Sequence, residues 1–280
     1  MAAACCASWS SKVAWGLPMN KIHVRVADWQ KDNAEIRRIR ETVFVAEQCV
    51  PPELEWDADA ATAVAQGINA AGGVAHPLVV DLADGARLRG ALPMLTQAFG
   101  PPDVLVNNAG MAGLVAAADC SLENWQMTVA VNVTAPMLLM QFAIAHMRQA
   151  GWGRIVNVSS ISGLRAGTGR MAYGTSKAAL IAMTRQFAIE SGALGITVNA
   201  IAPGAIDTPL AEANHSSETR AAYGRMVPMR RYGATDEVAD GIVFLCSEQA
   251  SYITGQTLAI DGGFVAAGML VDTLFDRAAG

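Results

Sequence analysis

Charge is scarce in this chain. Asp, Glu, Lys and Arg make up 16% of its 280 residues, and the net charge of −5 comes with no basic stripe. A nucleic-acid partner is therefore not expected. Aromatic residues are also few, at 6%, although hydrophobic residues reach 52%, enough for a sizeable core. Polar residues interrupt the apolar runs well before 18 positions, so no membrane span is expected. Cysteine is sparse and odd in number. Cys5, Cys6, Cys49, Cys120 and Cys246 show no metal-ligand spacing, and they read as reduced thiols of a cytoplasmic protein with no metal site. The first 18 residues hold one charged side chain, Lys12, and lack a basic stretch followed by an apolar one. No signal peptide is expected; residues 1–20 read as a leader, with Met19 a candidate start.

What is present centres on residues 157–177. Tyr173 and Lys177 lie four positions apart, which on a helix puts both on one face. A neighbouring ammonium favours the phenolate, so a lowered Tyr173 pKa is expected, suited to proton exchange near neutral pH. Upstream, Ser160 closes the run Arg154–Ser160, which reads as a buried parallel strand. Ligands in open parallel sheets bind at the C-terminal ends of strands. A Tyr-x-x-x-Lys pair alone fits a solvated helix face better than a site.

Residues 60–265 alternate helix and strand, the pattern of a parallel α/β sheet. Helices are expected at 60–71, 85–99, 121–150, around Tyr173, and at 236–247. Strands are expected at 74–81, 102–109, 154–160, 196–202 and 255–261. Pro136 lies inside the long helix and has no N–H, so the carbonyl of Asn132 loses its partner and a local kink is expected there.

Several motifs fall in order on this frame. They are Asp81 at a strand end, Asn107-Asn108-Ala109-Gly110, Asn132, Ser160, Tyr173 with Lys177, Pro203-Gly204 followed by Ile206 and Thr208, and Asp261-Gly262-Gly263. Together they resemble the short-chain dehydrogenase/reductase family. The resemblance implies a Rossmann-like doubly wound sheet, NAD or NADP as cofactor, and a small-molecule alcohol or ketone as substrate. It also implies roles: Tyr173 as general acid/base, Ser160 on the substrate oxygen, Lys177 on the nicotinamide ribose and on the Tyr173 pKa, and Asn132 on a relay water. Asn108, Ala109 and Gly110 would flank the cofactor. Pro203, Gly204, Ile206 and Thr208 would meet the nicotinamide. Asp81 either touches the adenine or caps the next helix. Relatives pair through helices matching 121–150 and 171–193, so a homo-dimer or homo-tetramer is expected. Residues 209–232 read as a substrate loop, with His215 an exposed member of it.

One expected part is missing. The family opens with a strand, a Gly-rich TGxxxGIG turn and a helix, whose backbone amides hold the pyrophosphate. No such turn occurs in this sequence, so the sheet is expected to be truncated at its first βαβ unit. Residues 21–59 instead resemble the start of a GCN5-related N-acetyltransferase, carried by the run from Arg40 to Asp57, without that family's coenzyme-A turn. This foreign α+β segment, with its strand Ile22–Ala27 and helix Asn33–Glu47, either stands apart or docks as a surrogate βα unit. The tail 266–280 has no assigned role. Two functions follow: an NAD(P)-dependent oxidoreductase, or a hybrid that keeps the catalytic residues and cannot hold the dinucleotide. An N-acetyltransferase is a distant third.

Overall fold

The computed structural model describes residues 65–270, except 71, 73, 76–77, 79, 209–210 and 213–214. The expected leader, the acetyltransferase-like segment and the end of the tail lie outside the described residues.

Strand β2, Gly153–Val158, is buried at all six positions. A strand covered on both faces favours apolar residues, which Ile155, Val156 and Val158 supply, and its buried Arg154 and Asn157 are hydrogen-bonded. It lies beside β3 (Ile196–Pro203), with β1 (Val104–Asn107) on its other side and β4 (Thr257–Ile260) beyond β3. The order β1-β2-β3-β4 is parallel throughout, with Val156 opposite Val106 and Asn199. Val156, Val158 and Ile201 pack on Ile242 and Leu245 of the helix Thr235–Cys246 on one face. Ile155, Ile196 and Val198 pack on Met140, Met147 and Ala188 on the other. Helices thus cover both faces, a Rossmann-like α/β architecture.

The expected strand at 74–81 is not a strand among its described residues. Leu82 there packs with Leu88 and Leu92 of the helix Gly85–Phe99 and with Leu138. That helix begins at Asp84, whose carboxylate accepts from the N–H groups of Ala86 and Arg87. Asp81 closes the turn before it, accepting from the N–H of Ala83. Asp84, not Asp81, is the helix cap.

The long helix expected over 121–150 is present and interrupted where Pro136 predicts. It runs as α-helix Leu122–Val129, a π-turn Ala130–Thr134, and α-helix Ala135–Ala150. Inside the break the N–H of Ala135 reaches five residues back to Ala130. The inserted residue rotates the preceding turn, and Asn132 becomes fully buried. By length and hydropathy Leu122–Ala150 matches a bilayer span, contrary to the reading of the apolar runs, but 44% of that window is buried inside the fold.

Candidate active site

Ser160 follows β2 and caps the short turn Ile161–Gly163, its hydroxyl accepting from the N–H of Ser162. Gly163 lets this turn press against the helix Met171–Ser191. A Cβ there would come 2.8 Å from the Lys177 carbonyl carbon, closer than side chains approach backbone. The contact holds Ser160 beside Tyr173, which lies in the first turn of that helix.

Ser160, Tyr173 and Lys177 line one cleft of about 230 Å³, together with Asn108, Gly110, Pro203, Gly204, Ile206 and Thr208. Three of the expected residues stand elsewhere. Ala109 packs with the Leu82–Leu138 cluster, Asp81 is not in the cleft wall, and Asn132 lies behind it. The Asn132 side chain grips the loop after β1 at both groups of Met111, accepting from its N–H and donating to its carbonyl, each at 2.9 Å. It also donates to the Ser176 hydroxyl at 2.9 Å, which in turn donates to the Tyr173 carbonyl at 2.7 Å. Ser176 has no motif to announce it. Its partner lies 44 residues away, so no local pattern reveals the contact.

Lys177 is 4% exposed, and its ammonium donates to the Val158 carbonyl at 2.8 Å. It stands 5.8 Å from the centre of the Tyr173 ring. Burial pulls its pKa from 10.5 down to about 8. Gly110 makes room for it: a Cβ there would lie 3.0 Å from the Lys177 Nζ and 3.2 Å from the Asn132 Oδ1.

The expected depression of the Tyr173 pKa is not found. Burial raises it, and the Ser160 hydroxyl and the Arg170 charge offset part of that rise. Desolvation of the phenol is the largest of these effects and sets the direction.

Ile206 pairs with Gly233 in an isolated parallel bridge made by the Ala205 carbonyl and the Asp207 N–H. Peptide groups alternate in direction along an extended chain, so this bridge turns the N–H and C=O of Ile206 to the opposite side. The Thr208 hydroxyl accepts from the N–H of Ala211. The expected loop at 209–232 contains a helix, Ser217–Met226. His215 is half-buried, contrary to expectation, and lines the cleft. It stacks on Tyr223 and lies 3.0 Å from the Tyr232 hydroxyl. Burial, then the charges of Arg170 and Arg220, lower its pKa.

Comparison with known proteins decides the kinship. The model of the enoyl-(acyl carrier protein) reductase family matches residues 54–265. The chain belongs to the short-chain dehydrogenase/reductase family, a family of oxidoreductases. It is 38% identical to a 3-oxoacyl-(acyl-carrier-protein) reductase of Aquifex aeolicus over 72% of this chain and 82% of that protein. It is 33% identical to D-threitol dehydrogenase of Mycolicibacterium smegmatis over 75% of this chain and 81% of that protein. Among solved structures, a gluconate 5-dehydrogenase from Burkholderia cenocepacia in complex with NADP and tartrate matches with a TM-score of 0.72. Its identity is 28%, over 76% of this chain and 84% of that one.

Proposed function

We propose that this chain interconverts a hydroxyl and a carbonyl on a small-molecule alcohol or ketone, with NAD or NADP as the hydride carrier. Bound, the dinucleotide would supply the hydride donor or acceptor. Tyr173 exchanges the proton with the substrate oxygen, and Ser160 donates to that same oxygen. Lys177 holds the nicotinamide ribose and brings positive charge towards the phenol. Asn132 positions both, through Met111 and Ser176, and holds the water relay to solvent. Pro203, Gly204, the Ile206 backbone and Thr208 face the nicotinamide, and Asn108 and Gly110 lie beside it.

The observation that carries this reading is convergence. Ser160 from a strand end and Tyr173 and Lys177 from a helix meet in one cleft, with Gly110 shaped to the ammonium. The nicotinamide half of a dinucleotide fits these residues, since the Ile206 peptide groups are turned away from Gly233. For the pyrophosphate half, the sequence holds no Gly-rich turn. That favours one second reading, a hybrid with its catalytic residues in place and little hold on the dinucleotide. Subunits would pair through the outward row Ala178, Ala182 and Ile189 of the Tyr173 helix, where Ile189 is 78% exposed. Sedimentation as a monomer alone would contradict the pairing.

The test is turnover of a panel of ketones with NADH and NADPH, in the native chain and in Tyr173→Phe. The expected loss in kcat is about 100-fold or more, with cofactor affinity retained. Equal rates in the two proteins would remove Tyr173 from the chemistry.

A further inference from the structure

Arg170 lines the same cleft as Ser160 and Tyr173, its guanidinium carbon 5.5 Å from the centre of the Tyr173 ring. Its main chain is fixed on both sides. The carbonyl accepts from the N–H of Gly174 at 2.6 Å, and the residue bridges to Val115 across from the next loop. The residue is half-buried, and among the described residues no acidic side chain pairs with it. Nearby arginines differ. Arg220 places two nitrogens on Asp207 at 3.1 Å, and Arg231 sits on Glu237 at 2.7 Å.

The lining of the cleft is one-sided. Among the described residues it contains neither Asp nor Glu, in a chain with 25 acidic residues and a net charge of −5. Its fixed cations are Arg170 and Lys177, and Lys177 is turned to the Val158 carbonyl. The field of Arg170 reaches the reacting end: it opposes the rise that burial gives Tyr173, and it adds to the fall that burial gives His215. A half-desolvated guanidinium without a carboxylate keeps its forked donors, which match a carboxylate with two parallel hydrogen bonds.

We propose that Arg170 receives a carboxylate of the substrate, so that the cleft selects short hydroxy or oxo acids over neutral alcohols and ketones. The position of Arg170 one helical turn before Tyr173 sets the length. The carboxylate sits within a few bonds of the carbon that is oxidised or reduced. The chemistry rests on the dehydrogenase reading above, and the recognition of the anion does not.

The experiment is ligand-observed NMR titration of the full chain with lactate, 3-hydroxybutyrate and malate, each against its neutral amide. The native protein, Arg170→Leu and Arg170→Lys are compared. At least one acid is expected to bind the native chain ten-fold or more tightly than its amide. Arg170→Leu erases that preference and Arg170→Lys keeps part of it, which also shows that the fold survives. Equal binding of every acid and amide, or a preference unchanged in Arg170→Leu, overturns the proposal. Turnover in the same samples separates the two ideas. An acid preference without turnover under either coenzyme sinks only the dehydrogenase reading. Turnover of neutral ketones with no acid bound sinks only the role of Arg170.

Discussion

The ammonium of Lys177 bonds to the Val158 carbonyl at 2.8 Å while standing 5.8 Å from the Tyr173 ring. A charged group is therefore held in the core by one neutral acceptor, and burial brings its pKa to about 8. In the unfolded chain the same amine titrates near 10.5. Between these values the unfolded chain binds more protons, so this group adds stability as pH rises from about 8 to 10.5. At neutral pH it instead costs about 3 kcal/mol. Lys177→Met is expected to raise stability at pH 7 by about 1–2 kcal/mol, after loss of the bond to Val158. The advantage over the native chain shrinks between pH 8 and 10.5. Chemical denaturation at pH 7 and pH 10 checks both.

Gly110 predicts a separation of stability from activity. A Cβ at Gly110 would press on the Lys177 Nζ and the Asn132 Oδ1, and both side chains must give by a few tenths of an ångström. Gly110→Ala is expected to cost about 1 kcal/mol in stability and to lower kcat about ten-fold or more, because the ammonium is displaced. Thermal melts and steady-state kinetics on the same sample separate the two effects.

Asn132→Ala strips the Met111 N–H, the Met111 carbonyl and the Ser176 hydroxyl of their partner at once. Leaving such groups unpaired in the interior costs about 1–3 kcal/mol each when no water replaces the lost bond. A fall of more than 2 kcal/mol in unfolding free energy is expected, together with faster amide hydrogen exchange at Met111.

The helix Thr235–Cys246 depends on Glu237. Its carboxylate takes two 2.7 Å bonds from Arg231 and one from the N–H of Ala234, closing the helix start. The Arg231 guanidinium, with that N–H, holds the Glu237 pKa down to about 2 from 4.5. A depressed carboxylate stabilises the fold above its unfolded pKa and loses that contribution as pH falls towards 2. Glu237→Gln should lower the melting temperature above pH 5, and the difference should narrow below pH 4.5. A constant difference across that range would contradict the assigned partner.

Which of these features the sequence disclosed follows from the range of the forces involved. The strands β1 to β4 and the helices between them announce themselves through local apolar runs. The break in the long helix is legible because Pro136 removes a donor from a known carbonyl, although the π form of the break depends on packing. Spacing on neighbouring elements marks Ser160, Tyr173 and Lys177, and the three share one cleft. The rise of the Tyr173 pKa is not legible in the spacing, because burial of the phenol is set by tertiary packing. Arg170 and Ser176 stand one helical turn on either side of Tyr173 but carry no motif, and His215 reaches the site from a distant loop. The strand expected at 74–81 is not formed at its described residues, because an apolar run does not by itself establish a pairing partner.

Direct fluorescence titration of the full chain with NADH and with NADPH tests the central claim most simply. The account predicts saturable enhancement of nicotinamide emission at micromolar concentration for at least one of the two, with the preferred coenzyme also supporting turnover. A folded sample that binds neither at millimolar concentration would contradict it, and would leave Ser160, Tyr173 and Lys177 assembled around a cleft without a hydride carrier.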